Sequence, residues 1–217
     1  MCISEEVSWT TLIVGTITNI VCISLLYPNL FKKNNSKYIY AIVFIILWQY
    51  GLLMQIPDGI AWRQIKDNKS TKSSGILAFI LNVTQPIIFF IGIIILMIIF
   101  KKNLYYLIPA LILLIYYIYQ IIHELLLNNL KFDVSPKNNC KSLNYQWWEK
   151  ISSTIYLILF PLIIIPLFNL PITILNLSIF FISLIISSFI VYDCNPGSLW
   201  CWSIAIAGLI NYLFIYF

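Results

Sequence analysis

The chain is a series of long apolar runs separated by short connections, which contain charged residues or Pro, Gly and Asn. A helix needs about 20 mainly apolar residues to cross a hydrocarbon core of about 30 Å. On this criterion the pattern predicts seven transmembrane helices. They cover residues 7–27, 38–62, 75–100, 104–127, 151–168, 172–192 and 199–217.

The predicted fold is all-α, a compact bundle of seven transmembrane helices with short loops, in a single domain that covers residues 1–217. One alternative stays open at the fifth and sixth helices. Only Asn169-Leu170-Pro171 separates them, so they could form a re-entrant hairpin instead of two spans. The longest connection, 128–150, is rich in Asn, Lys and Ser, and we expect the functional residues in the helices and at their ends.

Composition supports the same class of protein. The chain is 61% hydrophobic and 10% charged, whereas a soluble domain is about 45–50% apolar and about 25% charged. The net charge of +5 comes from lysines in the connections. Such lysines contact lipid headgroups and set orientation, so we expect a multi-pass integral membrane protein whose partner is the lipid bilayer, with no nucleic-acid binding.

The distribution of charge alone does not favour either orientation of the chain in the membrane. Seven spans put the chain ends on opposite sides, which we name side A (the N-terminal side) and side B (the C-terminal side). Side A has eight Lys and Arg residues and side B has five, but the side-B connections are shorter and denser in charge. The positive-inside rule therefore does not indicate which side faces the cytosol. A glycosylation sequon at Asn68 on side A is offset by another at Asn34 on side B.

The cysteines favour an N-terminus on the lumenal or extracellular side. Four of the five fall on side A, and we predict disulfides among Cys2, Cys140, Cys194 and Cys201. Such bonds need an oxidising compartment. The alternative is that these four cysteines share one side by chance.

Polar residues follow one face of the second predicted helix. Residues three and four apart lie on the same side of a helix, and this stripe consists of Trp48, Gly51, Gln55, Asp58 and Trp62. Its acid comes just after Pro57, whose missing N–H leaves a backbone carbonyl free. An acid at this position suggests either a site or a contact that holds helices together.

Depth counting extends this stripe into a candidate cavity. At a rise of about 1.5 Å per residue, polar groups of the fourth helix reach the same level beneath side A as Asp58. The predicted set comprises Trp48, Gln55, Asp58, Trp62, Asn82, Gln85, Gln120, His123, Glu124, Trp200 and Asn211. It predicts an aqueous vestibule, walled by tryptophans and open to side A. Interfacial Trp belts, solvated charges near the surface and polar contacts between helices explain the same pattern.

Most membrane chemistries are disfavoured. No predicted span has an interior lysine for a retinal Schiff base, and His123 is the single histidine, which is too few for a histidine zinc site. Asp58, His123, Glu124 and Asp193 could form a mixed metal site at best. Neither a Gly-x-Ser-x-Gly motif nor a Gly-rich phosphate loop occurs. We therefore expect no cofactor, no metal and no catalytic residues.

Three segments carry a family resemblance: "LWQYGLLMQIPDGIAW" at 47–62, "CKSLNYQWWEK" at 140–150 and "NPGSLWCW" at 195–202. In these segments the chain resembles an uncharacterised family of seven-span membrane proteins encoded by large nucleocytoplasmic DNA viruses. The shared features are Met54-Gln55 with a following acid and Trp62, a cysteine before Leu143 and Trp147, and Gly197-Ser198-x-Trp200-Cys201-Trp202. Asp58 stands where the family has glutamate. The resemblance implies a fold and a viral origin, and it implies no activity.

Two functional hypotheses follow from the sequence. In the first, the protein binds or passes a small solute or a proton through the polar cavity. In the second, it is a structural or interaction protein of a viral or host-derived membrane, and its polar residues only hold the helices together.

Overall fold

The computed structural model of the chain is a helical bundle with one small β-hairpin. It describes residues 4–31, 35–127, 130–136, 143–145, 147, 153–167, 171–190 and 197–216, without the side chains of 153, 154, 156, 157, 183–190 and 197–204. The α-helices are α1 (Glu5–Leu26), α2 (Ser36–Leu52), α3 (Gln55–Lys66), α4 (Lys72–Ile99), α5 (Ile108–Leu127), α6 (Ser153–Ile164), α7 (Pro171–Ile190) and α8 (Gly197–Tyr216). The strands are β1 (Val134–Pro136) and β2 (Leu143–Tyr145).

Four helical segments are long and apolar enough to cross a membrane: Glu5–Phe31, Ser36–Lys66, Lys72–Ile99 and Leu104–Leu127. They coincide with the first four predicted spans and include short 3-10 turns at Tyr27–Phe31 and Leu104–Leu107. Three shorter apolar helices lie at Ile158–Leu167, Pro171–Ile182 and Ala205–Tyr216. The predicted helical fold with membrane-crossing helices is thus confirmed for four spans, whereas the count of seven stays a prediction.

The second span is not the continuous helix that its stripe predicts. It breaks at Leu53 and Met54, between α2 and α3. The physical reason is Pro57, which cannot donate to the carbonyl of Leu53 four residues earlier and whose ring clashes with that carbonyl. The backbone N–H of Ile56 donates to Leu53 O instead, at 3.0 Å, in a tighter turn. Asp58 therefore lies in the first turn of a new helix.

Small residues let α8 pack closely against α1 and α2. Gly15 on α1 faces Leu52 and Ala205, and a Cβ at Gly15 would come within 2.5 Å of a Leu52 methyl. The opposite face of α1 is apolar and exposed, with Ile13, Val14, Ile17, Ile20, Val21 and Leu25. A small-residue inner face and an aliphatic outer face are typical of a helix packed in a lipid bilayer.

Helices α3 and α4 both end with a residue in the left-handed region. Asn68 has a φ of 53° and Lys101 a φ of 51°. At the end of α4 the N–H of Lys101 donates to Ile98 O at 3.1 Å and that of Lys102 to Met97 O at 2.8 Å, a Schellman motif. Glycine usually occupies this position, and asparagine is tolerated there. A lysine costs about 1 kcal/mol in this conformation.

The connection between α5 and α6 contains an antiparallel hairpin, which the pattern of apolar and polar residues does not predict. Val134 in β1 pairs with Tyr145 in β2. The hydroxyl of Thr71, at the start of α4, donates to Val134 O at 3.0 Å and accepts from Val134 N at 2.8 Å. Because both backbone groups of Val134 bond to one side chain, the hairpin is fastened to the side-A end of the bundle.

Candidate functional site

Asp58 and Tyr145 form a buried acid–tyrosine pair at the side-A end of the bundle. The Tyr145 hydroxyl donates to Asp58 Oδ1 at 2.6 Å. Both residues are 0% exposed. An acid in the first turn of α3 also interacts favourably with the partial positive charge of the helix N-terminus. The hairpin thus places the Tyr145 hydroxyl against Asp58, the acid of the predicted polar stripe.

Aromatic rings hold the hairpin in this position. The Phe79 ring on α4 meets the rings of Phe132 and Trp147 edge to face, with centroids 5.3 and 5.4 Å away. Trp147 is completely buried. Gly75, one turn before Phe79, lies so close to the hairpin that a Cβ there would overlap the backbone carbonyl of Phe132. The hairpin therefore packs next to Asp58, whose side chain is 0% exposed, and the vestibule stays a prediction.

A second buried site, the Trp–Asn cluster, consists of Trp48, Asn176 and Asn211. Trp48 Nε1 donates to Asn176 Oδ1 at 2.6 Å. The two asparagines exchange amide hydrogen bonds at 2.8 and 3.0 Å. Each also donates to a backbone carbonyl of its own helix, at Ile172 and Ala207. The cluster joins α2, α7 and α8 through donors and acceptors that satisfy one another, as buried polar groups require.

Aromatic side chains pack around the Trp–Asn cluster. The Trp48 ring centroid is 5.7 Å from that of Phe89 and 5.7 Å from that of Phe160. Phe160 in turn stacks on Phe180, with centroids 4.1 Å apart and planes at 9°. Because these rings come from α4, α6 and α7, they exclude water around the cluster and strengthen its hydrogen bonds.

A third polar link joins α1 to α2. Asn19 Nδ2 donates to Gln49 Oε1 at 2.8 Å, and Gln49 Nε2 donates to the Thr16 hydroxyl at 2.9 Å. Asn19 also packs against Gly208 on α8, where a Cβ would overlap its Oδ1 atom. This link therefore depends on a glycine of a third helix.

The structure divides the predicted set by burial. Five of its members are buried: Trp48, Gln55, Asp58, Gln85 and Asn211. Trp62, Asn82, Gln120 and Glu124 are half-buried, and His123 is exposed. The side chain of Trp200 lies outside the described residues. Depth along a helix predicted similar levels for Asp58 and His123, but depth carries no information on which way each side chain points.

The polar residues of α5 interact along their own helix. Gln120 Nε2 donates to the hydroxyl of Tyr116, four residues earlier, at 3.0 Å. The His123 ring lies 6.0 Å from that of Tyr119, also one turn away. His123 is exposed whereas Asp58 is buried. The two ionisable groups therefore do not share one environment.

The predicted disulfides fall outside what the structure describes. Cys2, Cys140 and Cys194 are not among the described residues, and of Cys201 only the backbone is described. In the described part, Cys22 is a buried free thiol. The same part contains no group of three or more His, Cys, Asp or Glu residues that could hold a metal ion.

Charge at the surface of side A is locally compensated. Between α3 and α4, the Lys69 ammonium lies 3.0 Å from the Asp67 carboxylate. Its hydrogen bond and its charge hold the pKa of Asp67 below the usual value. Because both side chains are exposed, water and salt screen this pair, and it contributes little to stability.

Two important residues were absent from the predicted set. Asn176 is the centre of the Trp–Asn cluster, and its signal was a lone amide within an apolar helix. Tyr145 belongs to "NYQWW", an aromatic group in an otherwise polar connection. Aromatic residues in a loop favour burial over solvent, so this group could have indicated that the connection folds back onto the bundle.

Comparison with known proteins gives no match to the chain among family models, curated proteins or solved structures.

Proposed function

We propose that the protein is a seven-span integral membrane protein that acts as a structural or interaction component of its membrane. In this proposal the buried polar contacts hold the helices and the hairpin in one packing arrangement. The observation that carries it is the acid–tyrosine pair, in which Tyr145 Oη is 2.6 Å from Asp58 Oδ1 and both residues are 0% exposed. The one acid in the predicted stripe is thus used inside the protein.

The Trp–Asn cluster supports the proposal independently. Its three side chains bond to one another and to backbone carbonyls of their own helices. Within a membrane such contacts contribute about 0.6 to 2 kcal/mol each and specify which helix faces which. Polar groups that satisfy one another in this way favour a fixed arrangement over a path for a solute.

A second function rests on Asp58 itself. A buried carboxylate is costly in a membrane protein and frequently marks a proton or solute pathway. Gln55, three residues before Asp58 on α3, is also buried. Under this hypothesis the hairpin closes over a site that binds or passes a small solute or a proton.

The sign of a stability change separates the two functions. The test measures the melting temperature of Asp58→Asn and Tyr145→Phe in detergent and in lipid nanodiscs. If the acid–tyrosine pair is structural, both variants should melt at a lower temperature. If Asp58 serves a function and destabilises the fold, Asp58→Asn should melt at the same temperature or higher. Asp133→Asn and Tyr119→Phe are matched controls, since Asp133 lies on the hairpin arm outside the pair and the Tyr119 side chain is exposed.

Membrane integration is tested separately. Alkaline carbonate washing of membranes that contain the full chain is expected to leave it in the pellet, and release into the supernatant would overturn the proposal. The origin in a viral or host-derived membrane depends on the family resemblance alone and stays a prediction.

A further inference from the structure

The seven-span topology predicted from the sequence distributes charge unequally between its two sides. In this predicted topology all eight acidic residues of the chain belong to side A: Glu5, Glu6, Asp58, Asp67, Glu124, Asp133, Glu149 and Asp193. Side A also holds eight basic residues, which balance them. Side B has five lysines and no acid. On this prediction the whole net charge of +5 belongs to side B, although side A has more lysines and arginines.

Three of these lysines, Lys37, Lys101 and Lys102, are described, and we name them the rim lysines. All three are exposed. The rings of Tyr40 on α2 and Phe100 at the end of α4 stack with centroids 4.3 Å apart, which brings the start of α2 next to the end of α4. The rim lysines therefore belong to one edge of the bundle.

Helix α8 completes this edge. The Lys37 ammonium donates to the backbone carbonyl of Ile215 at 3.1 Å and lies 5.1 Å from the Tyr38 ring centroid. These contacts orient its charge at the end of the bundle. Two large aromatic side chains at the same edge are strongly exposed: Phe31, before α2, at 78% and Tyr105, after Lys102, at 75%. Lysines interleaved with exposed aromatics are typical of the headgroup level of a bilayer.

Lys101 gives a separate reason to assign a role to this charge. It occupies the left-handed position of the Schellman motif, with a φ of 51°, where glycine is favoured. The equivalent position at the end of α3, on side A, has Asn68, a residue that tolerates this conformation. At side B a lysine thus occupies a backbone conformation that disfavours it.

We propose that the rim lysines form a surface that binds the headgroups of anionic phospholipids in the side-B leaflet. The proposal rests on the membrane embedding in the proposed function and adds a specific lipid class to it. A phosphodiester headgroup supplies the negative charge that this edge lacks, and its acyl chains lie against the apolar faces of the helices. Because the cytosolic leaflet carries the anionic lipids, side B would face the cytosol.

The experiment uses the purified full chain in a neutral detergent. The melting temperature is measured during titration with phosphatidylglycerol, with phosphatidylcholine of the same acyl chains, or with sodium phosphate. We expect phosphatidylglycerol to stabilise the protein at lower concentration than phosphatidylcholine, and this preference to weaken in 0.5 M salt because screening shortens the reach of the charges. Equal midpoints for the two lipids overturn the proposal. An equal effect of phosphate alone overturns it in favour of a free-anion site.

Matched triple variants locate the surface. Lys37→Gln, Lys101→Gln and Lys102→Gln together should abolish most of the preference, at about fivefold in apparent affinity per lysine, which corresponds to about 1 kcal/mol each. Lys66→Gln, Lys69→Gln and Lys72→Gln remove the same charge from side A and should leave the preference intact. Equal losses in both triple variants would mean that general charge is responsible, and would overturn the assignment.

Lys101→Gly distinguishes lipid binding from damage to the fold. Glycine relieves the backbone conformation, so this variant should melt higher without lipid and yet need about fivefold more phosphatidylglycerol for half of its stabilisation. Asn68→Gly is its control, with an unchanged lipid preference. A Lys101→Gly variant with full lipid preference contradicts the proposal. If the preference is absent but carbonate still fails to extract the protein, the lipid surface falls and the membrane embedding stands.

Discussion

Asn176 and Asn211 bind each other through both ends of their amides, with Nδ2 to Oδ1 distances of 2.8 and 3.0 Å in the two directions. Neither side chain is exposed. A reciprocal amide pair is specific, because each side chain uses a donor and an acceptor on the same partner. It links α7 to α8, and Trp48 Nε1 extends it to α2 at 2.6 Å.

Replacement of either asparagine should therefore destabilise the bundle. Asn176→Leu removes the acceptor of Trp48 as well as half of the amide pair, and it is expected to cost more than Asn211→Leu. Each change should lower the free energy of unfolding by about 0.6 to 2 kcal/mol, measured by thermal melting in detergent. The double variant should cost less than the sum, because both single changes break the same pair. Asn82→Leu, at a half-buried position of α4 outside the cluster, is the control, and equal losses in all three single variants would contradict the cluster's role.

Gly75→Ala should displace the hairpin. The added methyl group would overlap the backbone carbonyl of Phe132, and a backbone atom cannot rotate away as a side chain can. We expect faster hydrogen exchange at 130–136 and 143–145 and a fall of about 1 to 3 kcal/mol in stability. In Gly92→Ala the nearest atoms to the added methyl group belong to the flexible side chain of Leu47, at 2.8 Å, so exchange in the hairpin should be unchanged. Unchanged exchange in Gly75→Ala would show that the hairpin is not seated on α4.

Gly208→Ala tests the packing of α1 against α8. Its methyl group would overlap Asn19 Oδ1 and force Asn19 out of its 2.8 Å hydrogen bond with Gln49. The melting temperature should fall, by the equivalent of about 1 to 3 kcal/mol for an overpacked interior. Asn19→Ala in the same chain removes the overlap and should restore part of the loss. No recovery in that double variant would assign the cost of Gly208→Ala to some other contact.

Glycosylation at Asn68 tests the orientation. This residue is exposed in the connection between α3 and α4, within the Asn68-Lys69-Ser70 sequon. If side A is lumenal, expression in a eukaryotic cell should add one glycan that an endoglycosidase removes and Asn68→Gln abolishes. Modification at Asn34 instead, lost in Asn34→Gln, would reverse the orientation, and with it the cytosolic assignment of the rim lysines.

The order and type of the main helices could be obtained from the sequence, since hydrocarbon thickness fixes how long an apolar run must be. The ends of the first four spans agree with the described helices to within a few residues. The polar stripe around Asp58 was also a reliable sign of the interior, since Trp48, Gln55 and Asp58 are all buried. Helical periodicity identifies a face, and in a membrane protein a polar face usually points inward.

What those residues contact was decided by tertiary structure alone. Tyr145 reaches Asp58 from 87 positions away, through a hairpin of two three-residue strands that carries almost no periodic signal. Residue counting predicts His123 at the depth of Asp58, but His123 is exposed, because the orientation of α5 follows from its packing and not from its own sequence. Periodicity is a local property that one helix expresses by itself, whereas a hydrogen-bond partner depends on how separate helices and loops meet. For this protein the sequence determined which residues are polar within the membrane, and only the packing decided that Asp58 is closed off by a tyrosine.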